Sequence, residues 1–193
     1  MGRPRAFDDE AALDAAITCF WHRGYEATSV RDLAAAMGIC GTSLYNAFGD
    51  KRALFERALE RYLEVTTRER IRRLETTLPP KRAARAFIEE VIARALDDGD
   101  RRGCFLINSA LEVAPHDRAL GAVIATHLGE IEGFFRRCVE AGRADGSVPP
   151  GRAADDIARL LLGVLLAIRV LSRVKPDRAL MEGVARPALA LLD

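Results

Sequence analysis

The sequence predicts an all-α protein in which a short three-helix unit precedes a longer helical region. Apolar residues recur at helical spacing along the chain, and no convincing run alternates apolar and polar residues as a strand would. Glycine and proline end the apolar stripes, as at Gly24, Gly38 and 78–80. With 193 residues, of which 49% are hydrophobic, the chain can bury a sizeable core.

Three helices are predicted within the first fifty residues. An apolar stripe behind three acidic residues, which suit the positive end of a helix dipole, marks the first helix, closed near Gly24. Thr28 or Ser29 can cap the second helix, and Gly38 ends it. A third, short helix fits residues 42–48 after a turn of about four residues.

A long helix is expected to start near Lys51 and to end at the Leu78-Pro79-Pro80 break. The other predicted helices cover the stripe 87–96, then 104–113, the stripe 120–138, 153–171 and 179–192. The segments DDGDRRG and GRADGSVPPG are expected to be loops, and Pro187 to bend or interrupt the last helix. Helix 153–171 is apolar almost all round, so it must be covered on every side.

Composition and charge limit the possible functions. The formal net charge of +1 provides no general basic footprint for nucleic acid, and residues 1–50 hold four basic against seven acidic residues. The longest apolar run, 160–168, is shorter than the roughly 20 residues that cross a bilayer. Because the first ten residues become polar at once, we expect no secretory signal and a cytoplasmic location.

Cysteine and histidine spacing argues against metal and redox motifs. The four cysteines stand alone and the three histidines are scattered, so we expect reduced thiols, no metal and no cofactor. Cys19, Cys40 and Cys138 are interpreted as packing residues.

Two short helices joined by a tight turn and supported by a preceding helix predict a helix-turn-helix unit, whose later helix enters the DNA major groove. Leu44 and Phe48 are spaced to anchor that helix to the other two. Four polar or aromatic residues are then free to face outward with groups that suit phosphates and base edges: Thr42, Ser43, Tyr45 and Asn46.

These motifs resemble the TetR/AcrR family of bacterial transcriptional regulators. The resemblance rests on G-Y-E-A-T-S-V-R-D-L-A at 24–34 and on G-I-C-G-T-S-L-Y-N-A-F-G-D-K at 38–51. It implies a helix-turn-helix DNA-binding domain at 1–50 and a helical ligand-binding and dimerisation domain at 51–193. It also implies double-stranded operator DNA as a partner, repression as the usual sign, and a homodimer formed by the last two helices.

The resemblance also assigns individual residues to DNA. The expected phosphate contacts are Thr28, Thr42, Ser43, Tyr45 and Lys51. The residues expected near base edges are Gly41, Ser43 and Asn46. Arg3, Arg5 and Arg52 are expected to add positive charge, while Gly41, Thr42 and Ala47 depart from the residues common in the family.

The middle of the chain holds the candidates for ligand binding or sensing. Cys104 follows two arginines and a glycine at the expected start of a helix, where the thiol pKa would be lowered. The pattern G-C-x-L-x-N-x-A-x-E resembles a branch of the family that includes regulators of electrophile and oxidative-stress responses. Cys104 is either a sensor or an inert residue, and Asn108 and His127 are either pocket residues or satisfied polar groups.

Two other functions compete with this interpretation. An enzyme with Cys104 as nucleophile is not expected, since no His/Asp arrangement accompanies it. A helix-bundle interaction module without specific DNA binding is the other alternative. The favoured hypothesis is a sequence-specific DNA-binding regulator, expected to be a repressor that a small-molecule or electrophile inducer releases from its operator, in the latter case through thiol modification.

Overall fold

The computed structural model describes residues 8–193, and the regular secondary structure in that range is entirely helical, as predicted. A π-helical turn, Glu64–Arg68, joins α4 to α5, and a 3₁₀ turn, Ala190–Leu192, follows α10. The α-helices are α1 Asp9–Arg23, α2 Val30–Met37, α3 Gly41–Phe48, α4 Lys51–Leu63, α5 Glu69–Thr77, α6 Pro80–Asp97, α7 Phe105–Glu112, α8 Arg118–Ala144, α9 Ala154–Val174 and α10 Arg178–Leu189.

Local capping explains where the short N-terminal helices begin and end. Ser29, not Thr28, caps α2: its hydroxyl accepts from the Asp32 amide at 3.1 Å, and the Asp32 carboxylate accepts from the Ser29 amide at 3.0 Å. This reciprocal pair satisfies backbone donors that a helix start leaves free. Gly38 ends α2 in the left-handed region at φ 66°, which a residue without Cβ adopts at least cost.

Helices α1 and α3 pack on α4, and α2 packs on α1 and α3, through an apolar core. Leu44 and Phe48 of α3 are buried, as the four-residue spacing predicted. Phe20 of α1 meets Phe55 of α4 edge to face, with ring centroids 5.1 Å apart. Because α1 packs extensively against α4, the head formed by α1–α3 is joined to the next helix by shared core as well as by the chain.

The C-terminal half is a helical bundle in which α8 lies along α9, α6 packs on both, and α10 covers α9 and α6. Phe87, Phe134 and Phe135 stack within its core, with centroids 5.2–5.3 Å apart. The apolar character of α9 predicted that every side of it needs cover, and one chain alone does not cover all of it. Leu160 and Val170 are nearly half exposed, so one apolar stripe of α9 faces outward.

Several boundaries differ from the prediction. Helix α8 continues to Ala144, and beyond its end Val148 folds back and donates to the Gly142 carbonyl at 2.8 Å. Helix α9 extends to Val174, and α10 continues through Pro187 to Leu189. The sequence did not indicate the π turn, since one inserted residue barely disturbs an apolar stripe. No helix within residues 8–193 has the length and apolarity to span a membrane.

Candidate nucleic-acid interface and interior cavities

The outward face of α3 carries side chains that the core does not use. Tyr45 is 53% exposed, and Thr42 and Asn46 are exposed beside it. Their hydroxyl and amide groups have no hydrogen-bond partner within residues 8–193. The helix therefore presents donors and acceptors outward while Leu44 and Phe48 hold it to the head.

The start of α3 is open and close to a thiol. A Cβ placed on Gly41 would meet no atom within 4 Å, so the backbone of this first turn is accessible. Cys40 is exposed, and its Sγ lies 3.1 Å from the Ser43 hydroxyl. That hydrogen bond lowers the pKa of the Cys40 thiol. The prediction that Cys40 is a packing residue is therefore wrong, because the helix start points it away from the core.

Thr28 occupies a different environment from the α3 residues. It is 1% exposed, and its hydroxyl donates to the Gly24 carbonyl at 2.5 Å. The single hydroxyl proton is thus used inside the head, where it stabilises the turn between α1 and α2. This geometry does not support a phosphate contact from the Thr28 hydroxyl.

Basic residues near α3 come from the start of α4 and from α2. Lys51 is half-buried, with its Nζ 4.2 Å from the centre of the Tyr25 ring, and stands at the start of α4 next to the end of α3. Arg52 instead binds Asp117 at 2.9 Å. Arg31, exposed in the first turn of α2, forms no ion pair with a described residue, and Arg3 and Arg5 lie outside the described residues.

Several carboxylates within the first fifty residues form ion pairs with arginines where the helices pack together. Arg61 of α4 binds Asp14 at 2.6 Å and Glu10 at 3.2 Å, and Arg23 binds Asp32 at 2.8 Å. These carboxylates are engaged along α1, α2 and α4. The net charge of residues 1–50 therefore overstates the negative charge that the α3 face presents.

Cys104 is the N-cap residue of α7, as its position after Gly103 predicted, but it is buried. Its Sγ lies 3.6 Å from the Tyr62 hydroxyl, and burial raises the pKa of Tyr62. Of the two preceding arginines, Arg102 stacks on Trp21 and binds Asp98 at 3.3 Å, whereas Arg101 is exposed and forms no ion pair with a described residue.

Asn108 holds together the loop that precedes α7. Its Nδ2 donates to the Arg102 carbonyl at 2.8 Å, and its Oδ1 accepts from Arg173 at 3.2 Å. The Arg102 carbonyl also accepts from the Trp21 indole at 3.2 Å. Asn108 lines a cavity of about 380 Å³ between α1 and α7, but its amide already has partners at both ends.

His127 belongs to an ion network at the π turn. Its Nδ1 lies 3.2 Å from Glu130, and its Nε2 lies 3.5 Å from Glu60. Arg68 binds Glu130 at 2.8 Å and also pairs with Glu60 and Glu64. His127 is buried, and both of its ring nitrogens lie near carboxylates, as expected for a satisfied core histidine. It lines none of the cavities described here.

A partly open cavity that the sequence did not indicate lies beside Cys104. It measures about 300 Å³ and runs from Trp21 and the π turn to the loop before α7. Three arginines from separate helices line it: Arg70 of α5, which is buried, Arg94 of α6, which is exposed, and Arg169 of α9, which is half-buried. Arg102 of the loop before α7 lines it as well. We call it the arginine cavity. Its residues are too far apart in the chain for any spacing rule to have found it.

Polar contacts join the head and α4 to residues 98–117. The Trp21 indole binds Arg102, the Glu26 amide donates to Glu112 at 3.0 Å, and Arg52 binds Asp117. Phe105 of α7 also packs on Phe55, with centroids 5.5 Å apart. The residues 98–117 therefore contact both the head and the arginine cavity. Within residues 8–193 no cluster of three or more His, Cys, Asp or Glu side chains could hold a metal ion.

Two family models match the chain. The model of bacterial regulatory proteins of the tetR family matches residues 12–58, and the model of the tetracyclin repressor-like C-terminal domain matches residues 80–188. The first match covers α1–α3 and part of α4, and the second runs from α6 into α10.

Individual relatives agree with the models. The chain is 32% identical to the uncharacterized HTH-type transcriptional regulator YezE of Bacillus subtilis (strain 168), over 100% of both chains. It is 30% identical to the HTH-type transcriptional repressor ComR of Escherichia coli (strain K12), over 89% of this chain and 82% of that one. A cysteine-substituted TetR family transcriptional regulator, CifR, complexed with 26-base-pair double-strand operator DNA, superposes with a TM-score of 0.86 at 32% identity and covers 100% of both chains.

Proposed function

Because this chain belongs to the tetR family of bacterial regulatory proteins, it is a sequence-specific DNA-binding transcriptional regulator, and we propose that it is a repressor released from its operator by an inducer. The observation that carries the proposal is the α3 face, whose polar groups have no internal use while its apolar groups anchor the helix. The repressor sign follows the relatives that carry that name. The cytoplasm, where the DNA lies, is the proposed location.

The proposed DNA contacts follow from exposure. Tyr45, Thr42 and Ser43 contact phosphates, and Asn46 approaches base edges together with Ser43. Gly41 lets the backbone of α3 come close to a base or phosphate, since no side chain stands in the way. Lys51 adds charge at the start of α4. Thr28 acts through the fold. Arg31 is added as a phosphate contact because it is exposed and forms no ion pair with any of residues 8–193.

A homodimer is proposed from the uncovered stripe of α9. Its members follow one another at spacings of three and four residues, as in a helix-packing seam: Leu160, Gly163, Ala167, Val170 and Val174. A partner copy packing on this stripe would cover apolar surface that monomers rarely expose as a continuous patch. Two copies would place two α3 helices on adjacent half-sites, roughly 34–36 Å apart. We keep residue 50 as the proposed boundary between the DNA-binding and the ligand-binding and dimerisation domains.

The proposed route of induction runs through residues 98–104. This loop supplies the carbonyl that binds Trp21 of the head, and it ends at Cys104 beside the arginine cavity. A ligand in the cavity, or an adduct on Cys104, would displace the loop and thereby reorient α1 with α3. Couplings of about 1–3 kcal/mol between two sites change affinity 5–150-fold, which is enough to switch a promoter. The position of Cys104 in this loop supports the proposed assignment to the family branch that includes regulators of electrophile and oxidative-stress responses.

Selection of bound fragments from the source genome by the purified protein tests the function. We expect a defined near-palindromic site, and we expect the Tyr45→Ala variant to recover none, while Glu140→Ala, an exposed change on α8, recovers the same site. Absence of any enriched fragment with folded, inducer-free protein would contradict the proposal. Equilibrium sedimentation at micromolar concentration tests the dimer: a monomeric mass for the wild type would contradict it, and Val170→Asp is expected to produce one.

A further inference from the structure

The arginine cavity holds more positive charge than the surrounding carboxylates neutralise. Arg70 is 6% exposed and binds Glu90 at 3.2 Å, but Glu90 also binds Arg73 at 2.7 Å. One carboxylate is therefore shared by two guanidinium groups. Arg94 and Arg169 form no ion pair with any of residues 8–193.

The neighbouring charges act on Arg70. Burial, followed by repulsion from Arg169 and Arg94, lowers the pKa of Arg70 to about 10. Taking a guanidinium out of water and placing it near two others is unfavourable unless an anion joins them. The two aspartates on the cavity wall do not supply that anion: Asp98 is bound by Arg102, and Asp97 forms no ion pair with any of residues 8–193.

Two aromatic side chains of the cavity wall are suited to an apolar body. Trp21 and Tyr62 meet edge to face, with centroids 5.1 Å apart, and both line the cavity. The Arg70 guanidinium is held over the Phe87 ring, 5.3 Å from its centre, so its planar donors have a fixed direction. Planar, directed guanidinium donors bind carboxylates through paired hydrogen bonds. A volume of about 300 Å³ is at the small end of ligand sites.

We propose that the arginine cavity binds a small organic carboxylate, whose charged group is held by Arg70, Arg94 and Arg169 and whose apolar part lies against Trp21 and Tyr62. The proposal rests on the proposed function in one respect, namely that this ligand is the inducer. The cavity is positioned for that role. Its wall includes Thr66 and Thr67 of the π turn, which continues α4 from the head, and Trp21 itself belongs to α1.

Binding can be measured without DNA because Trp21 is the one tryptophan in the chain and lies in the cavity wall. We would titrate the intact protein in phosphate-free buffer with benzoate, hexanoate, benzamide and inorganic phosphate, and follow tryptophan fluorescence. Benzamide has the shape of benzoate without its charge. Saturable quenching by benzoate or hexanoate, with binding of benzamide at least about 10-fold weaker, is expected from loss of charge-assisted hydrogen bonds.

Arginine variants locate the site. Arg169→Gln and Arg94→Gln are each expected to weaken carboxylate binding about 10-fold or more. Arg82→Gln, an exposed change on α6 without an ion pair, is the matched control and should leave binding unchanged. Without ligand, the Arg94 and Arg169 variants should melt at the same or a higher temperature than the wild type, since each removes repulsion. A lower Tm for both would show that these arginines serve the fold and would overturn the proposal.

The remaining outcomes separate the site from the function. Equal binding of benzoate and benzamide, saturation by phosphate alone, or no saturable quenching would each overturn the carboxylate site. Release of operator DNA is then measured separately with the carboxylate that bound. Binding without release would leave the site standing and remove its role as inducer site. Failure to bind DNA in any condition would instead contradict the proposed function and leave the fluorescence result intact.

Discussion

The outer face of α3 and the interior around α7 and α8 both carry polar residues, and within residues 8–193 the two regions differ in whether Tyr45 and Asn46, or Asn108 and His127, have hydrogen-bond partners. Tyr45 and Asn46 are exposed and unbonded, whereas Asn108 and His127 each have partners on both sides. A polar group that has no internal partner is available to a ligand, and one that is satisfied stabilises the fold. The contrast indicates that availability, more than residue type, separates binding residues from structural ones.

The largest expected effect removes the exposed groups of α3. The double variant Tyr45→Ala/Asn46→Ala should bind operator DNA about 100-fold more weakly, since each lost contact contributes about 1–3 kcal/mol. Its Tm should match the wild type, because neither side chain packs in the core. Affinity by fluorescence anisotropy and melting by circular dichroism measure the two quantities. A large fall in Tm would place these residues among the structural ones.

Loss of the Arg68 ion network at the π turn is expected to lower stability and to leave DNA affinity nearly unchanged. Arg68→Met leaves Glu130 and His127 without their guanidinium partner and should lower the free energy of unfolding by about 2–3 kcal/mol. Arg68→Lys should recover part of the loss. Denaturant unfolding measures the effect, and DNA affinity under native conditions should change little. Unaltered stability of Arg68→Met would show that the network does not hold the π turn.

The pH dependence of that effect has a definite sign. The Arg68 guanidinium holds the pKa of Glu130 below its usual value, so the folded state favours the ionised carboxylate. The resulting stability is present above the unfolded pKa of about 4.3 and is lost as pH falls through the folded pKa. The difference between wild type and Arg68→Met should therefore be full at pH 6 and shrink below about pH 4. A difference that stays constant down to pH 3 would argue against this pair.

A smaller effect is expected at Asn108. Asn108→Ala removes one bond to the Arg102 carbonyl and one to Arg173, and should cost about 1–2 kcal/mol. Because that carbonyl also binds Trp21, tryptophan fluorescence should shift as the loop relaxes. Ala110→Ser, a change on the same helix at a half-buried position, serves as the comparison. An unshifted spectrum would mean that Trp21 alone holds the loop.

The smallest effect concerns thiol reactivity. The Ser43 hydrogen bond lowers the pKa of the exposed Cys40 thiol, whereas burial raises that of Cys138 to about 12. Iodoacetamide at pH 7.5 should therefore label Cys40 first and Cys138 last, because the thiolate is the reactive form. Ser43→Ala should slow labelling of Cys40 a few-fold. Peptide mass mapping over time measures the order, and prior labelling of Cys138 would contradict it.

The sequence by itself determined the helical class, the helix-turn-helix unit and the residues on its outer face. These follow from local rules, since helix spacing, Ser29 with Asp32 and the glycine after α2 act within a few residues. Only the tertiary structure decided that Thr28 is internally bonded, that Cys40 is exposed and that His127 is satisfied. It also brought Arg70, Arg94 and Arg169 into one cavity from three helices. Burial and long-range charge depend on which helix faces pack together, and no short stretch of sequence contains that information.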